Sequence, residues 1–114
     1  MRVTNAPASR ERRRRLAKAK GFYGARSKLF RTATEAVDRA MRLSTIHRKL
    51  RKRDFRQLWI ARVNAAARAE GISYSKFMAG LIKAGVALNR KMLSEIAIAD
   101  PEGFKTLVKI AKGE

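Results

Sequence analysis

Residues 25–70 read ARSKLFRTATEAVDRAMRLSTIHRKLRKRDFRQLWIARVNAAARAE and contain neither proline nor glycine. Steps of four and three residues along this stretch mark one face of an α-helix, which carries Leu29, Ala33, Ala36, Ala40, Leu43, His47 and Leu50. A continuous helix of this length would measure about 69 Å, whereas a compact chain of this size has a radius of gyration of about 13 Å. The stretch therefore predicts a long helix that either breaks or protrudes.

The segment before this stretch predicts a tail, a short helix and a bend. Met1–Ser9 looks like an extended tail, and the Ser9 hydroxyl can cap a basic helix that runs to about Lys20. Gly21 and Gly24 then bracket a bend, because glycine tolerates the backbone angles of tight turns.

The last third predicts three short helices over residues 74–84, 90–99 and 101–112. Ser73, Asn89 and Asp100 are suitable N-caps, Pro101 suits a first helical position, and Gly113 suits a helix end. Two hydrophobic staples are predicted, Ile72 with Phe77 and Leu88 with Leu93. The predicted core contains Leu58, Trp59, Val63, Leu81, Ile82, Val86, Leu93, Ile96, Phe104, Leu107, Val108 and Ile110.

These elements predict an all-α fold without strands. Residues 1–58 form a long basic N-terminal helical arm, and residues 59–114 form a small C-terminal helical domain. Phe55 and Trp59 are expected to pack in the core of that domain, at the end of the long helix.

The charge of the chain is large and unevenly distributed. Lysine and arginine number 28 against 9 acids, a formal net charge of +19 on 114 residues. Residues 1–70 hold 21 cations and 5 acids, whereas residues 71–114 hold 7 and 4. A compact body with such a charge repels itself unless a polyanion neutralises it. We therefore expect an arm that enters a field of phosphates and a domain that anchors it.

Two basic runs, Arg12–Arg15 and Arg48–Arg53, carry much of this excess. Arginine outnumbers lysine in both, and the guanidinium fork suits bidentate phosphate contacts and stacking on bases. The candidate RNA-binding residues are Arg10, Arg12, Arg13, Arg14, Arg15, Lys18, Lys20, Phe22, Tyr23, Arg26, Lys28, Arg31, Arg48, Lys49, Arg51, Lys52, Arg53 and Arg56.

The bend sets two aromatic residues among cations. Phe22 and Tyr23 can stack on unpaired RNA bases or riboses, with Lys20 and Arg26 on adjacent phosphates. Alternatively, both rings simply pack beneath the bend. The spacing is not that of a Walker or dinucleotide loop, so no nucleotide site is predicted.

The residue sets needed for catalysis and metal binding do not occur in the sequence. There is no cysteine, and His47 is the only histidine, which we expect to face RNA or to pack. The acids are scattered among bases, and Glu35 is expected to pair with Arg39 one turn away. We predict no enzyme activity, no cofactor and no metal site.

Three other classes compete with RNA binding. A DNA-binding or nucleoid protein would need a basic recognition helix, yet residues 74–99 hold only four cations. A membrane-surface helix would need an apolar face opposite the charge, and a spanning helix would need an apolar run of about 18 residues. The sequence has neither feature. An organelle transit peptide would match the Arg-rich start, but the basic character continues far beyond a cleavage point.

Several segments resemble the bacterial large-subunit ribosomal protein L-twenty family. They are KRDFRQLWIARVNAAAR at 52–68, GISYSKF at 71–77, AKGFYGARS at 19–27, LIKA at 81–84 and NRK at 89–91. The resemblance covers nearly the whole chain, and residues 53–77 carry its most specific part.

The resemblance implies a long basic arm that penetrates the rRNA of the large subunit and a small helical domain at the surface. It implies a structural constituent that binds 23S-type rRNA and supports early assembly of the large subunit, not peptide-bond catalysis. It further implies repression of translation through the protein's own mRNA in some members. The implied partners are rRNA and neighbouring ribosomal proteins, L-twenty-one first, with no membrane and no homo-oligomer. The implied location is the cytoplasm, in a bacterial rather than an organelle ribosome.

Overall fold

The structure is a computed structural model that describes residues 6–114. These residues form six helices and no strand, which confirms the predicted all-α class. The helices are α1 (Ala6–Lys18), α2 (Ala25–Lys28), α3 (Phe30–Ala69), α4 (Tyr74–Lys83), α5 (Arg90–Ala99) and α6 (Pro101–Lys112). None of these helices is long and apolar enough to span a membrane.

Helix α1 begins earlier than the sequence predicts. Residues 6–9 are helical rather than extended, and Ser9 lies inside the helix instead of capping it. Pro7 is compatible with this start, because the first turn of a helix leaves its backbone N–H groups unpaired in any case. The part of the predicted tail over residues 1–5 lies outside the described residues.

The predicted bend and the predicted long helix are both present. Gly21 and Gly24 adopt φ angles of 90° and 59°, which side chains with a Cβ rarely tolerate. Leu29 is extended, with φ −85° and ψ 124°, and it separates the four-residue α2 from the 40-residue α3. The helix predicted over residues 25–70 therefore breaks once, at Leu29. The Leu29 carbonyl accepts the backbone N–H of Ala33, which closes the first turn of α3.

The chain divides into an N-terminal unit, Met1–Lys49, and a C-terminal unit, Leu50–Glu114. In the N-terminal unit, Ala19, Ala33 and Val37 are buried, and Leu16 and Phe22 pack against them. This core is small because two of its three buried side chains are single methyl groups. The predicted division into a penetrating arm, 1–58, and a globular domain, 59–114, concerns the bound state and stays a prediction.

The C-terminal unit has the larger core. Its buried residues are Val63, Ala67, Ile72, Phe77, Leu81, Leu93, Phe104 and Val108. The rings of Phe77 and Phe104 lie 5.1 Å apart at its centre. Ile72 and Phe77, the first predicted staple, belong to this core, and Leu88 packs against it. Val86, Leu88, Ile96 and Leu107 are partly buried at its edge.

Several residues predicted for this core lie outside it. Ile82 is 72% exposed, and Leu58 and Ile110 are also exposed, because they fall on the outer faces of their helices. Phe55 is exposed too, so the prediction that it packs in the core is wrong. Trp59 is half-buried and lies 6.2 Å from the Phe55 ring, and it does not join the core cluster.

The caps predicted for α4, α5 and α6 agree with the structure except for one hydrogen bond. Asn89 accepts the Met92 N–H at 2.9 Å, and Asp100 accepts the Gly103 N–H at 3.0 Å. Ser73 occupies the N-cap position of α4, but its side chain makes no capping bond. Gly113 ends α6 in the left-handed conformation, φ 84° and ψ 21°. The Nζ of Lys112 donates to the Glu70 carbonyl at 3.2 Å and so ties α6 to the end of α3.

Candidate nucleic-acid interface

The cations predicted to bind RNA are all exposed in the structure. On α1, steps of four residues place Arg10, Arg14 and Lys18 on one face, where they line a shallow depression of about 590 Å³ with Glu11 and Arg15. The guanidinium groups of this helix are therefore available to an anion from solvent.

Two arginines of α1 already have partners within the protein. The Arg12 guanidinium lies over the Phe30 ring, 5.6 Å from its centre, in a cation–π contact. Arg15 pairs with Glu11 at 3.3 Å, but both side chains are solvent-exposed. Such a surface pair contributes little, so Arg15 can exchange its partner for a phosphate without a large loss.

The two aromatic residues of the bend differ in burial. Phe22 is half-buried and packs against the small core of the N-terminal unit. Tyr23 is 94% exposed. The sequence left two alternatives for these rings, stacking on RNA and packing beneath the bend. Phe22 packs, whereas the Tyr23 ring is free to stack. Lys20, Arg26, Lys28 and Arg31 surround the bend and are exposed.

The middle of α3 is exposed on every side. Each residue from 41 to 58, here called the exposed stretch, is solvent-accessible although the backbone is helical throughout. It carries seven cations and a single acid, Asp54. His47 lies within it and does not pack in a core. An ordinary helix of a globular protein buries one apolar face, and this stretch buries none.

A groove of about 800 Å³ lies beside the bend, within the N-terminal unit. Phe22, Tyr23 and Arg26 line it from the bend, and Glu35, Arg39 and Leu43 are among the residues that line it from α3. The predicted ion pair between Glu35 and Arg39 does not form; in the part of the chain described, the ion pairs are Arg15–Glu11 and Lys105–Glu102. From the sequence, Arg39 is expected only to pair with Glu35, although Arg39 flanks the stripe that carries Ala36, Ala40 and Leu43.

Among residues 6–114, the pKa of one titratable group, Lys105, is clearly shifted. The hydrogen bond from Lys105 Nζ to Glu102, 2.9 Å long, raises the pKa of Lys105. The contact lies at the surface of α6 and joins neighbouring turns of one helix, so it marks no binding site.

These features define a basic, all-α protein whose exposed cations suit the phosphate backbone of a nucleic acid. Residues 2–107 match the model of the family Ribosomal protein L20. The chain therefore belongs to the ribosomal protein L20 family, whose members are structural components and not enzymes, which confirms the resemblance drawn from the sequence.

Two similar proteins, each named large ribosomal subunit protein bL20, come from Clostridium kluyveri and from Clostridium botulinum strain Hall. The first is 58% identical over 114 residues, which is 99% of this chain and 96% of that protein. The second is 58% identical over 112 residues, which is 97% of this chain and 94% of that protein. The similarity thus extends over both units.

Proposed function

We propose that the protein is a structural constituent of the large ribosomal subunit and binds its 23S-type rRNA directly. The observation that carries this proposal is the exposed stretch of α3, with seven cations and one acid and no buried face. A helix of this kind gains nothing from burial, and its charges repel one another until anions surround them. The relatives named large ribosomal subunit proteins support the same assignment.

Binding depends on phosphates more than on base edges. Each phosphate neutralised by a cation releases counterions, so affinity is high and falls with salt. The grooves of A-form RNA are recognised mainly through shape, phosphates and 2′-hydroxyl groups, for which arginine and lysine are suitable. Of the eighteen residues predicted from the sequence, all except Phe22, whose ring packs against the small core, are the proposed contacts. The proposed arm covers residues 1–58, and the proposed globular domain covers residues 59–114.

The proposed role is early assembly of the large subunit rather than peptide-bond catalysis. Where several rRNA helices meet, their phosphates repel one another, and a cationic helix between them lowers that repulsion. We place the protein in the cytoplasm, within the bacterial ribosome. Ribosomal protein L-twenty-one is the proposed protein neighbour, and repression of the protein's own mRNA is a proposed secondary role by family resemblance.

The test compares RNA with DNA. The full-length chain is titrated by filter binding against large-subunit rRNA and against duplex DNA of equal phosphate content, from 50 to 200 mM salt. In parallel, tagged protein is followed through sucrose gradients of a cell lysate. We expect tighter binding to rRNA at every salt concentration and co-sedimentation with large subunits. Equal affinity for DNA, together with sedimentation away from the subunit, would favour the nucleoid protein and contradict the proposal.

A further inference from the structure

The groove beside the bend combines an aromatic ring, two arginines and a free carboxylate. The Tyr23 ring is almost fully exposed to solvent and lines the groove, as does Arg26, three residues later. From α3, Glu35 and Arg39 line the groove from successive turns. The groove volume of about 800 Å³ lies within the usual range of small-molecule sites, about 300–1,000 Å³, and accommodates one nucleotide.

Glu35 is unexpected in a surface that only binds phosphates. The N-terminal unit holds 15 cations and three acids, and an acid repels the RNA backbone. Glu11 is paired with Arg15, whereas Glu35 forms no ion pair or hydrogen bond within the described residues and lines the groove. A carboxylate with free acceptor oxygens is suited to the N–H groups of a base and not to a phosphate.

We propose that this groove receives a single unpaired guanine extruded from the RNA. The base stacks on Tyr23, its N1–H and N2–H groups donate to the Glu35 carboxylate, and Arg39 donates to its O6 or N7. Arg26 holds the adjoining phosphate. This inference rests on the proposed RNA binding and adds a base preference to it.

The preference for guanine over the other bases follows from the hydrogen-bond donors and acceptors on its Watson–Crick edge. Its Watson–Crick edge presents two adjacent donors, which match the two oxygens of one carboxylate. Adenine and cytosine each offer a single amino group beside an acceptor that repels the carboxylate, and uracil offers one N–H between two acceptors. Arginine is the commonest partner of guanine O6 and N7. Unpaired bases stacked on aromatic side chains are the usual means of sequence-specific RNA recognition.

The test uses four RNA duplexes that differ only in one bulged nucleotide, G, A, C or U, and a fifth duplex without a bulge. Affinities of the full-length protein are measured by fluorescence anisotropy at one salt concentration. We expect about tenfold or tighter binding of the bulged-G duplex than of the other three, the range that one bidentate base contact provides. Tyr23→Ala should weaken binding of every bulged duplex, while Tyr23→Phe, which keeps the ring, should not.

The decisive variant is Glu35→Gln, with Asp38→Asn as its matched control. Both remove one negative charge from exposed positions of α3, but Asp38 lines a different depression with Thr34 and Met41. Glu35→Gln should abolish the guanine preference and leave the affinity for the duplex without a bulge unchanged or slightly higher. Asp38→Asn should keep the preference.

The outcomes separate this inference from the proposed function. Equal affinity for the four bulges, with binding to large-subunit rRNA intact, would overturn the guanine site alone. A guanine preference that survives Glu35→Gln would do the same. Displacement of the bulged RNA by micromolar free GMP would identify a nucleotide receptor and overturn the assignment to RNA. Loss of binding to every RNA, large-subunit rRNA included, would overturn the proposed function itself.

Discussion

Gly80 of α4 lies directly against the backbone of Ala111 in α6. A Cβ placed on Gly80 would overlap the Ala111 carbonyl oxygen and lie only 2.8 Å from its carbonyl carbon. The absence of a side chain at Gly80 is what allows the two helices to approach so closely. The Nζ of the next residue, Lys112, donates a hydrogen bond to the Glu70 backbone carbonyl. The close approach of the two helices therefore also positions this hydrogen bond between α6 and the end of α3.

Replacing Gly80 with alanine should destabilise the protein, although alanine is the better helix former. Relief of the overlap requires the helices to separate, and overpacking of this kind costs about 1–3 kcal/mol. In the same helix, Ala79→Gly at an exposed position should cost about 1 kcal/mol through helix propensity alone. Chemical denaturation of both variants measures the two effects, and a stabilised Gly80→Ala would show that the helices are not held in contact here.

The three N-cap residues of the C-terminal unit should differ in how much they stabilise the fold. Asn89→Ala and Asp100→Ala each remove a capping hydrogen bond and should lower the free energy of unfolding by about 1 kcal/mol. Ser73→Ala should have a smaller effect, because the Ser73 side chain makes no capping bond. Thermal unfolding followed by circular dichroism would rank the variants, and an equal loss at Ser73 would contradict the assigned geometry.

Ser94 should be replaceable by alanine with a gain in stability. Its side chain is fully buried, and its hydroxyl has no hydrogen-bond partner in the described residues. A buried unsatisfied polar group costs about 1–3 kcal/mol, and Ser94→Ala removes it. Ser75→Ala, at an exposed helical position, controls for helix propensity and should change stability by less than about 0.5 kcal/mol. Destabilisation by Ser94→Ala would indicate a hydrogen bond to the hydroxyl in solution.

Neutralising cations of the exposed stretch should reduce the salt dependence of rRNA binding. In the variant with Arg51, Lys52, Arg53 and Arg56 all changed to glutamine, each lost phosphate contact should lower the slope of log K against log salt by about 0.9. The control changes Lys76, Lys83, Lys91 and Lys109 to glutamine, which removes the same charge from exposed positions of the C-terminal helices. Filter binding across a salt series distinguishes the two variants. Equal slopes for both would mean that net charge, and not the exposed stretch, determines binding.

Amide hydrogen exchange should distinguish the exposed stretch of α3 from the packed helices of the C-terminal unit. Residues 41–58 bury no side chain, so their helix can open locally at low free-energy cost in the free protein. Helix α6, which buries Phe104 and Val108, should exchange far more slowly. Addition of large-subunit rRNA should slow exchange over residues 41–58, because bound phosphates remove the repulsion between the cations. Protection equal to that of α6 in the free protein would refute this expectation.

Local features of the fold could be predicted where a residue determines the backbone conformation at its own position or within the next helical turn. Gly21, Gly24 and Gly113 marked a bend and a helix end through their φ angles, and Asn89 and Asp100 marked helix starts through a short hydrogen bond. The start of α1 could not be predicted in this way, because serine, although favoured at N-caps, is also tolerated inside a helix. The break at Leu29 was equally hidden, because leucine carries no local signal for an extended conformation.

The sequence by itself determined that the chain is helical, that its excess of cations calls for an anionic partner, and that it belongs with ribosomal proteins. These properties depend on composition, periodicity and short motifs, which are independent of packing. Only the tertiary structure decided which apolar residues are buried, because Phe77 and Ile82 look alike in sequence but face opposite sides of α4. It also decided that the Phe22 ring packs against the core while the Tyr23 ring stays exposed. It further decided that Glu35 lines a groove instead of forming an ion pair with Arg39. Such distinctions depend on which helix face meets another element, and that is settled only when distant parts of the chain come into contact.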